Sequence, residues 1–244
     1  MELSNGVILV TGSGDRVGKA IALALARKGA QIVIHYHTRR EKARQAAEEI
    51  AAAGLPPLVV QGDVSRREDW ERMSAEILAK FGKIDGLVNN AALFYRTPLG
   101  DISEEQWDQF MNVNLKGVFW GCRTVGEQML RQQQGRIVNI ADVAARQVWT
   151  EYLPYSVSKA GVLALTRGLA RKFAPHVTVN AIVPGMIMPA ESLGEEEREA
   201  LIRKIPLQRS GSANDLANAV LYLFEGGDFI TGAEITIDGG RTIG

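Results

Sequence analysis

The feature that most constrains this chain is an unbroken alternation of short apolar runs with segments of helical periodicity. Gly6 to Thr11 (GVILVT) is too short for a helix and too uniformly apolar for a half-exposed strand, so it reads as a strand buried on both faces. Val17, Ala20, Ile21, Ala24 and Leu25 then recur at helical spacing until Gly29, and Gln31 to Tyr36 (QIVIHY) returns to strand composition. Strand, helix and strand make one right-handed crossover. Further helices are predicted at about 41–53, 66–81, 104–131, 153–173 and 214–223, and strands at 58–61, 84–89, 136–140, 177–182 and 234–237. Parallel pairing is the economical arrangement for this rhythm, giving an α/β, doubly wound parallel sheet with helices on both faces. Its 244 residues, 46% of them apolar, allow one large domain or two small ones. No repeat, low-complexity tract or Pro/Ser-rich linker interrupts the pattern, so a single domain over 1–244 is expected.

Charge and cysteine content exclude several partners. Lys plus Arg equal Asp plus Glu at 28 each, so the overall field that nucleic acid or anionic membrane binding draws on is missing. A single cysteine, Cys122, with 3 histidines leaves no disulfide and no thiolate zinc cluster, and no metal site is expected. Cys122 reads as a small helix residue without chemistry. Met1 to Val10 lacks a basic leader, and no run of ~18 apolar residues occurs without a charge. A soluble cytoplasmic protein acting on a small molecule is the expectation. The acidic run Glu195 to Glu197 reads as the solvated start of a short helix.

Thr11-Gly12-Ser13-Gly14-Asp15-Arg16-Val17-Gly18 joins the first strand to the first helix. Glycines there permit a tight turn and close backbone approach, and the helix N-terminus offers amides to a diphosphate, the Rossmann-type arrangement for a dinucleotide. An NAD-selective site carries Asp or Glu about 20 residues further on to bind the ribose 2′-hydroxyl. Here the region reads His35-Tyr36-His37-Thr38-Arg39-Arg40, with no carboxylate before Glu41. Its donors, with Arg16 across the loop, suit a 2′-phosphate, so the predicted cofactor is NADP(H).

Tyr155 and Lys159 lie four residues apart in a predicted helix and share one face. With them stand Asn89-Asn90-Ala91 at the end of a strand, Asn114 in the long helix, Asp63-Val64, and Pro184-Gly185 after another strand. In these motifs and their order the chain resembles the short-chain dehydrogenase/reductase family over essentially its whole length. The resemblance implies that Tyr155 is the proton donor and that Lys159 lowers its pKa and binds the nicotinamide ribose. It implies that Asn114 holds a water or a helix kink linking Lys159 to solvent. Asp63 and Val64 would flank the adenine, and Asn89, Ala91, Pro184 and Gly185 would join Gly12, Val17 and Gly18 around the cofactor. A homotetramer is implied too, with the long helices and residues 235–244 as candidate interfaces.

Two departures from the common family pattern stand out. Arg16 occupies a loop position where most members have Gly, and Asp142, thirteen residues before Tyr155, stands where most have Ser. An ionised aspartate is acceptor-only and opposes negative charge developing on a carbonyl oxygen, whereas it suits an N–H-bearing or imine-like C=N substrate. Both departures resemble the pteridine reductase and dihydromonapterin reductase branch, as do His35-Tyr36-His37 after the second strand and Ala91-Ala92-Leu93-Phe94-Tyr95-Arg96-Thr97-Pro98-Leu99 after the fourth. That likeness implies that Phe94 stacks on a pterin lying between it and the nicotinamide. Ala92 and Thr38 depart from the branch, which often has Ser and Arg there. The expected reaction is hydride transfer from NADPH to a pteridine C=N bond, with Tyr155, in relay with Asp142, supplying the proton. Met186 and Trp149 are candidate pocket walls, and the segment at about 186–206, with Pro189, Gly194 and Pro206, is a candidate lid. A carbonyl or 3-ketoacyl thioester reductase is the alternative within the enzyme class. A catalytically silent NADP-sensing protein is the alternative outside it, against which the intact Tyr155, Lys159 and Asn114 argue.

Overall fold

Val7–Val10 form β1, with all four residues buried, as a strand covered on both faces requires. The computed structural model describes residues 2–189 and 194–243. On one side of β1 lie β2 (Gln31–Tyr36) and then β3 (Leu58–Gln61). On the other lie β4 (Gly86–Asn89), β5 (Gly135–Ile140), β6 (Val177–Pro184) and β7 (Glu234–Ile237). The seven strands run β3-β2-β1-β4-β5-β6-β7 and pair in parallel throughout, as expected. The single α/β domain follows from this one continuous sheet.

Alternation along the strands divides the core in two. Ile8 and Val10 pack with Ile21 and Leu25 of α1 (Arg16–Ala26), Ile50 of α2 (Arg40–Ala53) and Phe224 of α8 (Ala213–Glu225). Val7 and Leu9 point to the other face. There they meet Trp70 of α3 (Arg67–Phe81), Val118 of α5 (Gly117–Gln132) and Phe173 of α6 (Leu153–Phe173). Each fully buried aliphatic or aromatic side chain contributes ~1.5 to 3 kcal/mol, so a register slip of one residue, which exchanges the faces, is strongly disfavoured. Cys122 is buried in α5, its thiol pushed up to about 12 by burial.

The helix expected over 104–131 is not continuous. It comprises α4 (Glu104–Phe110), a wide π-helical turn at Met111–Lys116, and α5. Apolar periodicity misses such a break because a π turn inserts one residue without interrupting the helical path. The turn carries Asn114. The acidic run opens α7 (Glu195–Ile202), where negative side chains complement the positive end of a helix. Part of the candidate lid, 190–193, and the final residue of the candidate interface, Gly244, lie outside the described residues. Among the described residues no helix is long and apolar enough to cross a membrane, and no His, Cys, Asp and Glu cluster is arranged to hold a metal.

Candidate active site

The strand order reverses between β1 and β4, and the crevice at the carboxyl ends of these strands is where a doubly wound sheet binds its ligand. The glycine loop lies there. Gly12 has φ +63°, and a Cβ on Gly18 would fall 2.4 Å from the Gly12 carbonyl oxygen and 2.6 Å from Asn90 Nδ2. Only glycine permits that approach. The loop is clamped by Asn90, whose Nδ2 donates to the carbonyls of Thr11 (2.9 Å) and Gly12 (3.3 Å), while Thr11 Oγ1 accepts from the amides of Asn90 and Ala91 (both 2.9 Å).

Asn89 does not line the crevice with its side chain, contrary to expectation. It is buried, donating to Asn139 Oδ1 (2.8 Å) and Cys122 Sγ (3.3 Å). Adjacent strand residues face opposite ways, and the motif does not say which asparagine faces the loop.

His35 is no part of the cation cluster. It is buried, its Nδ1 accepts the Gly12 amide (3.1 Å), and its Nε2 donates to the Gly62 carbonyl (3.0 Å). The amide needs an acceptor and the carbonyl a donor, so the ring is the neutral Nε2–H tautomer. Burial lowers its pKa to about 4. Arg16 is also displaced from the expected cluster. It sits in the left-handed region at φ +47°, which explains why glycine suits the position, and its guanidinium donates to the Met188 carbonyl. The positive charge near the end of β2 comes from Arg39 and from Lys42, which lie 3.9 Å and 3.6 Å from Asp15 Oδ2. Lys42 escaped the sequence reading because it lies beyond Glu41. His37 and Thr38 are exposed beside them. Asp63 Oδ1 caps the Ser65 amide, and Val64, buried, accepts from Trp70 Nε1.

At the other end of the crevice, the first turns of α6 carry Tyr155 and Lys159, both buried. Tyr155 Oη donates to Asp142 Oδ2 at 2.9 Å, and Asp142 Oδ1 accepts the Ala144 amide at 2.8 Å. The thirteen-residue spacing therefore brings these two groups into contact. Lys159 Nζ donates to the Ile140 carbonyl (2.8 Å) and lies 5.8 Å from the Tyr155 ring centre. Asn114 pairs with the Leu93 backbone through both Oδ1 (2.8 Å) and Nδ2 (3.0 Å), and Nδ2 reaches Ser158 Oγ (3.3 Å). It thus positions the loop that carries Phe94. Phe94 is 54% exposed, stacks on Tyr152 (4.9 Å, 5° between planes) and meets Tyr155 edge-on (4.8 Å, 70°). Met186 lines a cleft of about 460 Å³ together with Ile187, Pro206 and Asp238. Gly185 packs against Asp238, where a Cβ would fall 2.7 Å from the Asp238 Cβ.

A family model described as Enoyl-(Acyl carrier protein) reductase matches residues 13–242. The chain belongs to the short-chain dehydrogenase/reductase family. A 3-oxoacyl-[acyl-carrier-protein] reductase FabG of Staphylococcus epidermidis is 35% identical over 240 residues, 97% of this chain and 98% of that protein. A putative short-chain alcohol dehydrogenase of Sinorhizobium meliloti superimposes with a TM-score of 0.94 at 32% identity, over 99% of this chain and 98% of that one. A gluconate 5-dehydrogenase of Burkholderia cenocepacia, solved with NADP and tartrate, gives 0.93 at 30% identity, over 99% and 96%. This family member is thus an oxidoreductase.

Electrostatics within the dehydrogenase/reductase site correct one expectation. The net Tyr155 pKa is not lowered: burial and the adjoining Asp142 carboxylate raise it well above the ordinary phenol value. Burial likewise raises Asp142 and brings Lys159 down to about 8. The largest cause of all three shifts is the loss of water from charged forms. Tyr155 is held as a neutral phenol, the protonation state a proton donor needs.

Proposed function

We propose that the chain is an NADPH-dependent reductase of a polarised carbonyl, with 3-oxoacyl thioesters as the substrate class. The observation that carries this reading is the neutral Tyr155 phenol, buried one helical turn from Lys159 at the crevice. The name of the staphylococcal relative supports the thioester. NADP(H) is supported by a β2 end that offers Arg39 and Lys42 but no carboxylate, and by the NADP in the Burkholderia relative. Replacing Arg39 by Ala is expected to weaken NADPH binding by about tenfold, the loss of one charge-assisted contact, and to leave NADH unchanged. Titration of both nucleotides reads this, and equal Kd values for them in the unmodified protein would refute it.

The residues fit a dinucleotide. The Gly12 to Gly18 turn approaches closely, Asp63, Val64 and Ala91 would border the adenine half, and Pro184, Gly185 and Lys159 the nicotinamide half. The cofactor, when bound, supplies the hydride. Tyr155 supplies the proton to the substrate oxygen. Lys159, a cation below about pH 8, offsets the negative charge left on Tyr155, Asp142 accepts the Tyr155 hydroxyl and orients it, and a solvent proton restores the phenol.

One observation favours a second reading, a pteridine C=N substrate. Asp142 replaces the hydroxyl donor a carbonyl would use, beside an exposed Phe94 face on which an offset flat ring would gain ~0.5 to 1.5 kcal/mol. NADPH oxidation with acetoacetyl thioester and with dihydrobiopterin separates the two. The thioester is expected to lead in kcat/KM by about tenfold or more, equivalent to ~1.4 kcal/mol of transition-state binding; the reverse order establishes the pteridine reading, and turnover of neither leaves a cofactor sensor. A cytoplasmic homotetramer belongs to the same proposal, supported by Phe119 on α5 and Val157 on α6, both large, apolar and exposed.

A further inference from the structure

Arg241 stands beside the reacting groups without a task in the chemistry above. It follows β7 in a turn that is built to hold it. Asp238 accepts from the amides of Gly240 (2.9 Å) and Thr242 (2.8 Å) and from Thr242 Oγ1 (2.7 Å), while Gly239 and Gly240 take φ of +65° and +88°. The half-buried Arg241 is thereby set over Trp149, its guanidinium carbon 5.4 Å from the ring centre. Trp149 meets Phe94 edge-on at 6.5 Å, and Phe94 touches Tyr155. The Asp142 carboxylate feels the Arg241 charge, yet the two do not form an ion pair. Among the described residues the guanidinium makes its aromatic contact and no hydrogen bond. Arg96, a further cation beside this aromatic wall, is occupied: it bonds Tyr152 Oη (3.3 Å) and pairs with Glu197 (3.1 Å).

We propose that Arg241 is a specificity-determining residue that pairs with a carboxylate carried by the substrate on the aromatic side of the pocket. A guanidinium presents five N–H donors in a planar fork matched to a carboxylate, and its place over the indole restrains it without spending those donors. Within the proposed carbonyl substrates, the class narrows to those that bear an acid group away from the reacting carbon. This rests on Tyr155 marking the substrate site, and the test is chosen to separate the two.

Calorimetric titration of the NADP-loaded protein with benzoate and with benzamide reads the charge preference without turnover. Benzoate is expected to bind at least about tenfold tighter, the loss of one charge-assisted pair. Arg241→Gln erases the difference, and Arg241→Lys retains part of it. Tyr155→Phe leaves the preference in place. No preference in the unmodified protein, no binding of either probe, or a preference that survives Arg241→Gln overturns the proposal. A preference that needs Arg241 in a protein turning over no carbonyl or pteridine upholds it and rejects the reductase reading instead.

Discussion

Replacing Tyr155 by Phe is expected to lower kcat by ~10²- to 10⁴-fold, the usual worth of a positioned proton donor. NADPH affinity should change little, because the glycine loop, the Asn90 clamp and Lys159 are untouched. Steady-state NADPH oxidation and nucleotide titration together make the check. The phenol is the group whose burial and carboxylate neighbour hold its proton at neutral pH, so no ordinary solvent group takes over its position. Removal of the hydroxyl also leaves Asp142 Oδ2 without its donor at 2.9 Å. The same substitution should therefore raise the Asp142 pKa further, which a pH profile of the residual activity reads. Unchanged turnover with every substrate tried would remove Tyr155 from the chemistry.

Acid should weaken the fold through His35 by about 3 kcal/mol. The ordinary His pKa of 6.5 falls to about 4 in the folded chain, and each unit is worth ~1.4 kcal/mol. Between those values the unfolded chain binds a proton that the folded chain refuses, so stability falls as pH drops from about 6.5 to about 4 and this contribution levels off below. Above 6.5 both states are neutral and His35 adds no slope. His35→Asn keeps an acceptor near the Gly12 amide but loses the bond to Gly62. It should cost ~1 to 3 kcal/mol at pH 7 and flatten the acid slope. Denaturant melts from pH 4 to 7.5 on both proteins, with an NMR titration of the ring, decide this. A His35 pKa near 6.5, or an equal slope in the variant, would contradict it.

Legibility differed by residue. The glycine loop, Tyr155, Lys159 and the missing carboxylate after β2 were readable because backbone geometry or helical spacing ties each chemistry to nearby sequence. The relation of Asp142 to Tyr155 was readable as a spacing, and the structure adds the bond. Arg39 was readable as a charge, while its neighbour Lys42 was hidden behind Glu41. Asn90, His35 and Arg241 were not legible as site residues. Their roles depend on which way a side chain turns and on what a segment 23 to 92 residues away places opposite it. The break in the long helix was equally silent, since Met111–Lys116 keeps helical composition.

The sequence by itself determined the parallel doubly wound sheet, the family resemblance, and the two ends of the crevice. Those depend on local periodicity, on glycines where other side chains collide, and on a helical turn that sets Tyr155 beside Lys159. Tertiary structure alone decided the protonation and orientation of the groups between those ends. His35 is neutral, Tyr155 is a phenol bound to Asp142, Arg16 faces Met188, and Arg241 lies over Trp149. Charge state and direction follow from burial and from partners brought in by the fold, and neither is a property of neighbouring letters in the chain.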